Sequence, residues 1–195
     1  MKVEYFFSPI SAFAYIGHKK IINLKKKFNF NLILKPIDLS YILENSGGVP
    51  LNLRHSIRKK YRIIELKRFS KLNKVKINTS PRHFPPKNVN LVSRIILSCI
   101  FLKIKKDILF FFLENLWKNN KDICDLKLFK NYCKINNLDF DKIIRISNKK
   151  FIKDTLRKNN FDALKKGVFG SPTYFFKGKI YWGQDRIFLL KKNFK

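Results

Sequence analysis

The chain is poor in cysteine, and this shortage limits the chemistry that it can carry. Cys99, Cys124 and Cys133 are its three cysteines among 195 residues, and they form no Cys-x-x-Cys pair. Small secreted domains depend on regularly spaced pairs of cysteines, so we expect no disulfide framework here. The three histidines share no ligand spacing with one another or with acidic residues, so the sequence predicts no metal site.

Acidic residues are also scarce. Only 13 Asp and Glu residues oppose 43 Lys and Arg residues, which gives a formal net charge of +30. Such an excess raises the question of nucleic-acid or anionic-membrane binding. The lysines, however, occur in short groups along the whole chain, mixed with many Asn, Ile and Phe, and no RNA- or DNA-binding motif accompanies them. These residue types share AT-rich codons, so genomic drift explains the composition better than a nucleic-acid partner does.

Long apolar runs are missing as well. Lys103, Lys105 and Lys106 interrupt the longest run, which is therefore too short to span a membrane. Residues 1–7 are too few for the apolar region of a signal peptide and include Glu4. We therefore expect a soluble cytoplasmic protein with no membrane partner. Hydrophobic residues still make up 45% of the chain, which is enough for a packed core.

The first part of the chain has the pattern of a β-α-β unit. Residues 3–7 and 31–37 are apolar, β-rich runs, and the segment between them begins at Ser11 and has helical spacing to about residue 28. This order predicts parallel pairing of the two strands. Residues 38–166 have almost no strand signal and repeat the helical spacing several times, for example over residues 88–106, 108–118 and 125–136, which indicates a helical insertion.

Strand patterns return after Gly167. Residues 173–176 and 180–182 predict a hairpin, and Asp185 is positioned to cap a final helix. The complete order predicts an α/β, thioredoxin-like fold with a large helical insertion domain. The predicted thioredoxin-like domain comprises residues 1–37 and 167–195, and the predicted helical insertion domain comprises residues 38–166.

Ser11 occupies the position that carries the reactive group in a thioredoxin-type fold, at the start of the first helix. Unpaired backbone N–H groups and the helix dipole favour negative charge at this point. A disulfide oxidoreductase needs Cys-x-x-Cys here, and the chain has Ser-Ala-Phe-Ala, so dithiol chemistry of its own is excluded. Ser11 is then either an ordinary N-cap or a hydroxyl donor that lowers the pKa of a bound thiol.

Two C-terminal segments favour a thiol-binding site. In thioredoxin-type proteins the X-Pro bond that faces the active site is cis and presents the preceding backbone to an extended peptide, a role that Ser171-Pro172 fits. The alternative is a plain loop before a strand. Residues 183–186 open the predicted last helix, where backbone N–H groups can bind a carboxylate and Asp185 an ammonium group. A γ-glutamyl end carries both charges, although an ordinary helix cap would look the same.

Three segments together carry a family pattern. They are Ser8-Pro9-x-Ser11-x-Phe13-Ala14-Tyr15, Val168-Phe169-Gly170-Ser171-Pro172-Thr173 and Trp182-Gly183-Gln184-Asp185-Arg186. This pattern resembles the signatures of 2-hydroxychromene-2-carboxylate isomerases, which are relatives of kappa-class glutathione transferases and, more distantly, of DsbA-type proteins. The resemblance covers the whole chain, because the helical insertion falls where that family has one.

The resemblance implies a glutathione site. Ser11 matches the catalytic serine that activates the glutathione sulfur, with glutathione as the cofactor. Ser171, before Pro172, matches the position that pairs with the glutathione backbone; many relatives have Val there, so we expect Ser171 to act through its backbone. The stretch that receives the γ-glutamyl part is matched by Trp182, Gly183, Gln184 and Asp185.

The resemblance also implies a substrate. Asn52 and Asn88 are similar to substrate-binding residues, and the expected substrate is a small aromatic carboxylate. The implied reaction is reversible thiolate addition to an unsaturated aromatic keto acid. Relatives are commonly dimers, so the resemblance also allows a homodimer. The open alternatives are a kappa-class-like glutathione transferase or peroxidase, a non-catalytic thioredoxin-like binding module, and a basic RNA-associated protein.

Overall fold

The computed structural model describes residues 1–194, in which four strands and nine α-helices are formed. In chain order these are β1 (Lys2–Phe7), α1 (Ala12–Phe28), β2 (Asn31–Pro36), α2 (Leu39–Glu44), α3 (Ser56–Leu72), α4 (Val89–Phe101), α5 (Ile108–Trp117), α6 (Leu126–Ile135), α7 (Phe140–Ser147), α8 (Lys150–Lys165), β3 (Thr173–Phe176), β4 (Lys179–Trp182) and α9 (Ile187–Lys191). A first 3₁₀ turn covers Leu51–Leu53 and a second covers Gln184–Arg186. None of these helices is long and apolar enough to cross a membrane.

The sheet has the order β2-β1-β3-β4 and mixes the two pairing modes. β1 and β2 are parallel, as the β-α-β pattern predicts, whereas β3 is antiparallel to both β1 and β4. Thr173, the first residue of β3, pairs with Phe6 on one side and with Trp182 on the other. The loops that follow β1 and β4 and the loop that precedes β3 therefore meet at one edge of the sheet.

Because side chains alternate along β1, they pack into two different apolar layers. Tyr5 and Phe7 face a large core that contains residues of α1, α4, α5 and α6, while Phe6 faces a smaller cluster with Ile37 and Ala163 of α8. The large core therefore continues from the sheet into the helical region. All strands lie within residues 2–36 and 173–182, with helices α2 to α8 between them, and the domain boundaries at 37/38 and 166/167 stay a prediction.

Most helices begin at a side chain that accepts a backbone N–H of the first turn. The capping residues of α1 to α7 are, in order, Ser11, Asp38, His55, Asn88, Asp107, Asp125 and Asp139. A side-chain cap of this kind contributes roughly 1 kcal/mol, and a carboxylate also interacts favourably with the helix dipole. Four of the few acidic residues thus fix where helices start.

Two helix boundaries differ from the expectation. The pattern predicted α4 to continue to about residue 106, but it ends at Phe101 because Lys103 adopts a left-handed backbone conformation with φ of 55°. The N–H groups of Lys103 and Ile104 then donate to the carbonyls of Ile100 and Cys99, which closes the helix as a Schellman motif. The prediction that Asp185 caps the last helix is wrong, as described with the site below.

A buried group of charges lies on the α8 side of the sheet. The Glu4 carboxylate in β1 binds the ammonium groups of Lys35, at 3.1 Å, and of Lys166. Lys35 also contacts Asp162 at 3.0 Å. Burial raises the pKa of Glu4, but the hydrogen bonds and charges of Lys166 and Lys35 outweigh it and hold the pKa below its ordinary value of 4.5. We call Glu4, Lys35 and Lys166 the β1 charge cluster.

Candidate functional site

The hydroxyl of Ser11 lies at the N-terminus of α1 and contacts the loop before β3. Its oxygen accepts the N–H of Ala14 at 3.1 Å and its proton is donated to the carbonyl oxygen of Ser171 at 2.9 Å. Ser11 is only 7% exposed, and the two serines are 160 residues apart in the chain. The structure thus brings together the two segments that the sequence predicted to meet. Any group that accepts the Ser11 proton must replace the Ser171 carbonyl.

Ser171 is held in place through its side chain as well as its backbone. The Ser171–Pro172 peptide bond is cis, which confirms that expectation. The Ser171 hydroxyl oxygen also accepts the N–H of Ser8 at 2.9 Å, a contact that the sequence did not predict. The prediction that Ser171 contacts glutathione through its backbone stays a prediction. Thr173 adds a further hydrogen bond from its hydroxyl to the Gly170 carbonyl, at 2.8 Å.

The segment after β4 is attached to the same loop. The N–H of Gly183 donates to the carbonyl of Pro172 at 2.8 Å, and Gly183 has a φ of 100°, which favours glycine. The Trp182 ring is half exposed and packs against Phe169, with 4.7 Å between the ring centroids. A Cβ on Gly170 would lie 2.5 Å from Nε1 of Trp182, so this loop and the indole fit only with glycine at that position.

Gln184 and Asp185 are placed differently from the expectation. They belong to the second 3₁₀ turn, and the Asp185 carboxylate pairs with the Arg186 guanidinium at 2.8 Å and caps no helix. The short turn and α9 together replace the single helix that the sequence predicted. Gln184 is 1% exposed and its side chain lies over Gly17 of α1, so this side chain is not available to a ligand.

Asn52 and Asn88 lie outside this set of contacts. Within residues 1–194 neither side chain forms a hydrogen bond with Ser11 or Ser171. Asn52 is exposed in the first 3₁₀ turn, where its carbonyl accepts the ammonium group of Lys59 at 2.8 Å. The Oδ1 atom of Asn88 caps α4 by accepting the N–H of Leu91 at 3.1 Å. Their role toward a substrate stays a prediction.

A pair formed by a buried histidine and a partly exposed aspartate behind α1 was not predicted from the sequence. His18 is 1% exposed, and its Nε2 atom lies 2.9 Å from the carboxylate of Asp107, the cap of α5. Burial raises the pKa of Asp107, but the hydrogen bond and charge of His18 and the N–H of Phe110 lower it below its ordinary value. The pair links α1 to α5 and so supports the helix that presents Ser11. No motif joins two residues 89 positions apart, so only the fold reveals it.

The three cysteines are free, and their environments do not favour a reactive thiolate. Burial raises the pKa of the Cys99 thiol to about 12 and that of Cys133 to about 11, and it also raises the pKa of the half-buried Cys124. Cys99 is buried in the large core. The described residues contain no group of three or more His, Cys, Asp and Glu side chains that could hold a metal ion.

Replacing Gly17 by alanine should destabilise the protein through the second 3₁₀ turn. A Cβ at this position would lie 2.5 Å from Cβ and 3.2 Å from Cα of Gln184, so the turn must move away from α1. We expect a net loss of about 1–2 kcal/mol in the free energy of unfolding, because overpacking exceeds the gain in helix propensity. Urea unfolding measures it, with exposed Lys20→Ala on the same helix as the control. A Gly17→Ala protein as stable as the original would contradict this contact.

Comparisons with known proteins identify the family and the fold of the chain. The family model described as a DSBA-like thioredoxin domain matches residues 2–195. A 2-hydroxychromene-2-carboxylate isomerase from Sphingobium xenophagum is 22% identical over 193 residues, which cover 97% of this chain and 95% of that protein. A solved structure of a 2-hydroxychromene-2-carboxylate isomerase has a TM-score of 0.79 at 20% identity, covering 99% of this chain and 94% of the other.

A second solved structure is that of the cytosolic disulfide reductase DsbM from Pseudomonas aeruginosa with GSH. It has a TM-score of 0.66 at 12% identity, and the alignment covers 99% of both chains. These likenesses confirm the predicted α/β, thioredoxin-like fold. Since the family model spans almost the entire sequence, the chain belongs to the DSBA-like thioredoxin domain family.

Proposed function

We propose that this protein is a glutathione-dependent isomerase of the 2-hydroxychromene-2-carboxylate isomerase type. The observation that carries the proposal is the 2.9 Å hydrogen bond between the Ser11 hydroxyl and the Ser171 carbonyl, at the N-terminus of α1. It places a proton donor, a peptide-pairing carbonyl and a positively polarised helix end at one point. The relative from Sphingobium xenophagum adds support, because it is named an isomerase and the match covers 95% of its length.

The residues present fit glutathione. The Ser171 carbonyl can accept the N–H of the cysteinyl residue, which releases the Ser11 hydroxyl to donate to the sulfur. The Ser11 oxygen still accepts the N–H of Ala14, and this hydrogen bond polarises the hydroxyl and makes it a better donor. A hydrogen bond to a charged group is worth about 1.5–3 kcal/mol, which corresponds to roughly one to two units of pKa on a thiol that otherwise titrates near 8.5.

The γ-glutamyl end has a place beside the second 3₁₀ turn. Gly183 is tied to the Pro172 carbonyl, so this turn lies next to the position that we assign to the cysteinyl residue. The Asp185 carboxylate is partly exposed and can bind an ammonium group while it also pairs with the Arg186 guanidinium. Gln184 contributes its backbone, and the half-exposed face of Trp182 can cover the ligand.

When bound, glutathione supplies a thiolate that adds reversibly to an unsaturated aromatic keto acid and is released unchanged after isomerisation. The part of Ser11 is to hold that thiolate by a hydrogen bond, and the burial of Ser11 keeps competing water away. Asn88 is a candidate for the substrate carboxylate, because its amide nitrogen has no hydrogen-bond acceptor within residues 1–194. Exposed Asn52 is the second candidate.

Glutathione should stabilise the folded protein in a thermal shift experiment. A ligand at ten times its Kd adds about 1.4 kcal/mol to the free energy of unfolding. The control ligand is the same tripeptide with a methyl group in place of the thiol, which we expect to stabilise less because it cannot accept the Ser11 proton. Equal stabilisation by both tripeptides would contradict the role of the hydroxyl, and no stabilisation by either would contradict the glutathione site.

The products of turnover distinguish this function from its alternatives. With 2-hydroxychromene-2-carboxylate and a catalytic amount of glutathione, we expect isomerisation together with full recovery of free glutathione. Accumulation of a stable thioether would instead identify a transferase. Stabilisation by nucleic acid alone, lost at high salt, would identify a basic binding protein.

A further inference from the structure

A cavity of about 650 Å³ lies between α2, α4 and α8, away from the contacts of Ser11. Its walls include Tyr41, Arg94, Lys153, Arg157, Asn160 and Phe161. None of these residues forms a hydrogen bond with Ser8, Ser11 or the Ser171–Pro172 loop in the part of the chain that the structure describes. α8 packs on the face of the sheet opposite to α1, and the residues that line the cavity do not include Ser11, Ser171 or residues 182–186.

The cavity carries an excess of positive charge. Arg94, Lys153 and Arg157 are its cationic groups, and Asp38 is the acidic residue in its wall. The Asp38 carboxylate already accepts the backbone N–H groups of Ser40 and Tyr41 and the amide of Asn90. Arg157 also contacts Asp154 at 3.3 Å, but this pair is exposed and therefore weak. The charged groups of the wall thus sum to two positive units.

Two polar side chains in the wall lack part of their hydrogen bonding. The Nε atom of Arg94 is buried and has no acceptor within residues 1–194. Asn160 is only 8% exposed, and its Oδ1 atom accepts the N–H of Asp38 at 2.9 Å, while its amide nitrogen has no acceptor in the same part of the chain. Unmet donors next to a cavity of this charge are suited to the oxygen atoms of an anion.

We propose that this cavity binds the phosphate monoester of a small organic molecule. A phosphate monoester carries a charge of about −1.5 to −2 at neutral pH and several acceptor oxygens, which match the net charge and the unmet donors. A carboxylate brings half that charge. The volume lies in the range of small-molecule sites, roughly 300–1,000 Å³, and exceeds what the phosphate group alone occupies. The organic part of the ligand lies against Tyr41, Leu156 and Phe161.

Adenosine monophosphate, ribose 5-phosphate and inorganic phosphate are suitable probes, with binding followed by calorimetry at physiological salt. We expect both monoesters to bind more tightly than inorganic phosphate, because only they fill the cavity. Arg94→Gln should weaken their binding by about tenfold or more, since it removes a hydrogen-bonded charge. Arg145→Gln removes the same charge from exposed α7, outside the cavity, and should change the Kd by less than about twofold.

Lys153→Gln provides a second variant, because Lys153 is exposed and its replacement does not endanger folding. It should also weaken binding of both monoesters. Equal affinities in the original protein and in the Arg94, Lys153 and Arg145 variants would overturn the proposal, since binding would then reflect the general basic surface. Affinity for inorganic phosphate equal to that for the monoesters would overturn it as well. Neither outcome bears on the proposal that glutathione binds at Ser11 and Ser171.

Discussion

Replacing Ser11 by alanine should reduce glutathione-dependent turnover by about 100-fold or more, the usual effect of removing a donor from a developing or bound anion. The variant loses the hydroxyl that donates to Ser171 in the free protein and, in our proposal, to the glutathione sulfur. The pKa of bound glutathione should therefore rise toward its value in solution. Steady-state kinetics measure the first effect, and ultraviolet absorbance of the thiolate across a pH series measures the second.

The same substitution also removes the cap of α1, so a loss of helix stability must be separated from a loss of chemistry. Asp139→Ala is the matched control: it removes the cap of α7, costs a similar amount of about 1 kcal/mol, and lies away from Ser11. It should leave turnover unchanged. Ser11→Thr keeps both the cap and the hydroxyl and should retain activity. Unchanged turnover in Ser11→Ala would refute the assigned role.

Replacing Glu4 by alanine should lower the free energy of unfolding by about 3 kcal/mol, because it leaves the partly buried ammonium group of Lys166 without a carboxylate and that of Lys35 with Asp162 alone. The Glu4 side chain is 9% exposed and those of Lys35 and Lys166 are 14% and 28% exposed. In a chain of this length the melting temperature should fall by about 6–12 °C. Calorimetry or urea unfolding measures the effect.

An exposed ion pair gives the matched control for this prediction. Glu65 contacts Arg68 at 2.8 Å on the surface of α3, and Glu65→Ala should cost less than about 1 kcal/mol. Glu4→Gln, which keeps the size of the side chain, should fall between the two. If Glu4→Ala cost no more than Glu65→Ala, the β1 charge cluster would contribute nothing to stability.

The same cluster predicts the response to acid. The pKa of Glu4 in the folded protein lies below 4.5, its ordinary value, so its contribution is complete above that pH and is lost as the pH falls through the folded pKa. The stability difference between the original protein and Glu4→Ala should accordingly shrink below about pH 4.5. A difference that grew in acid would contradict the direction of this shift.

The features that could be predicted from the sequence are those with a local signal. Apolar runs identified the strands, and the serine after β1 together with Ser171-Pro172 predicted that two distant segments would meet. Ser11 and Asp125 marked the starts of two helices, and both cap them. These patterns depend on backbone geometry within a few residues, which is why they are visible without the fold.

The features that could not be predicted depend on contacts between distant residues or on residues without a characteristic preference. Lysines occur throughout the chain, so nothing marked Lys35 and Lys166 as the partners of Glu4. Lys103 ends α4 in a left-handed conformation that glycine or asparagine usually adopts, so its identity gave no stop signal. The 3₁₀ turn at Asp185 arises because Gln184 packs on Gly17, a contact invisible in either segment alone.

The buried thiols have a consequence for how this protein responds to oxidants. Thiolates attack disulfides, and thiols with pKa values of about 11 and 12 are almost entirely protonated in neutral solution. Neither Cys99 nor Cys133 can therefore form a mixed disulfide with oxidised glutathione at an appreciable rate. A change in the ratio of reduced to oxidised glutathione should therefore leave these two buried thiols unmodified, and in our proposal it would change only how much ligand is present.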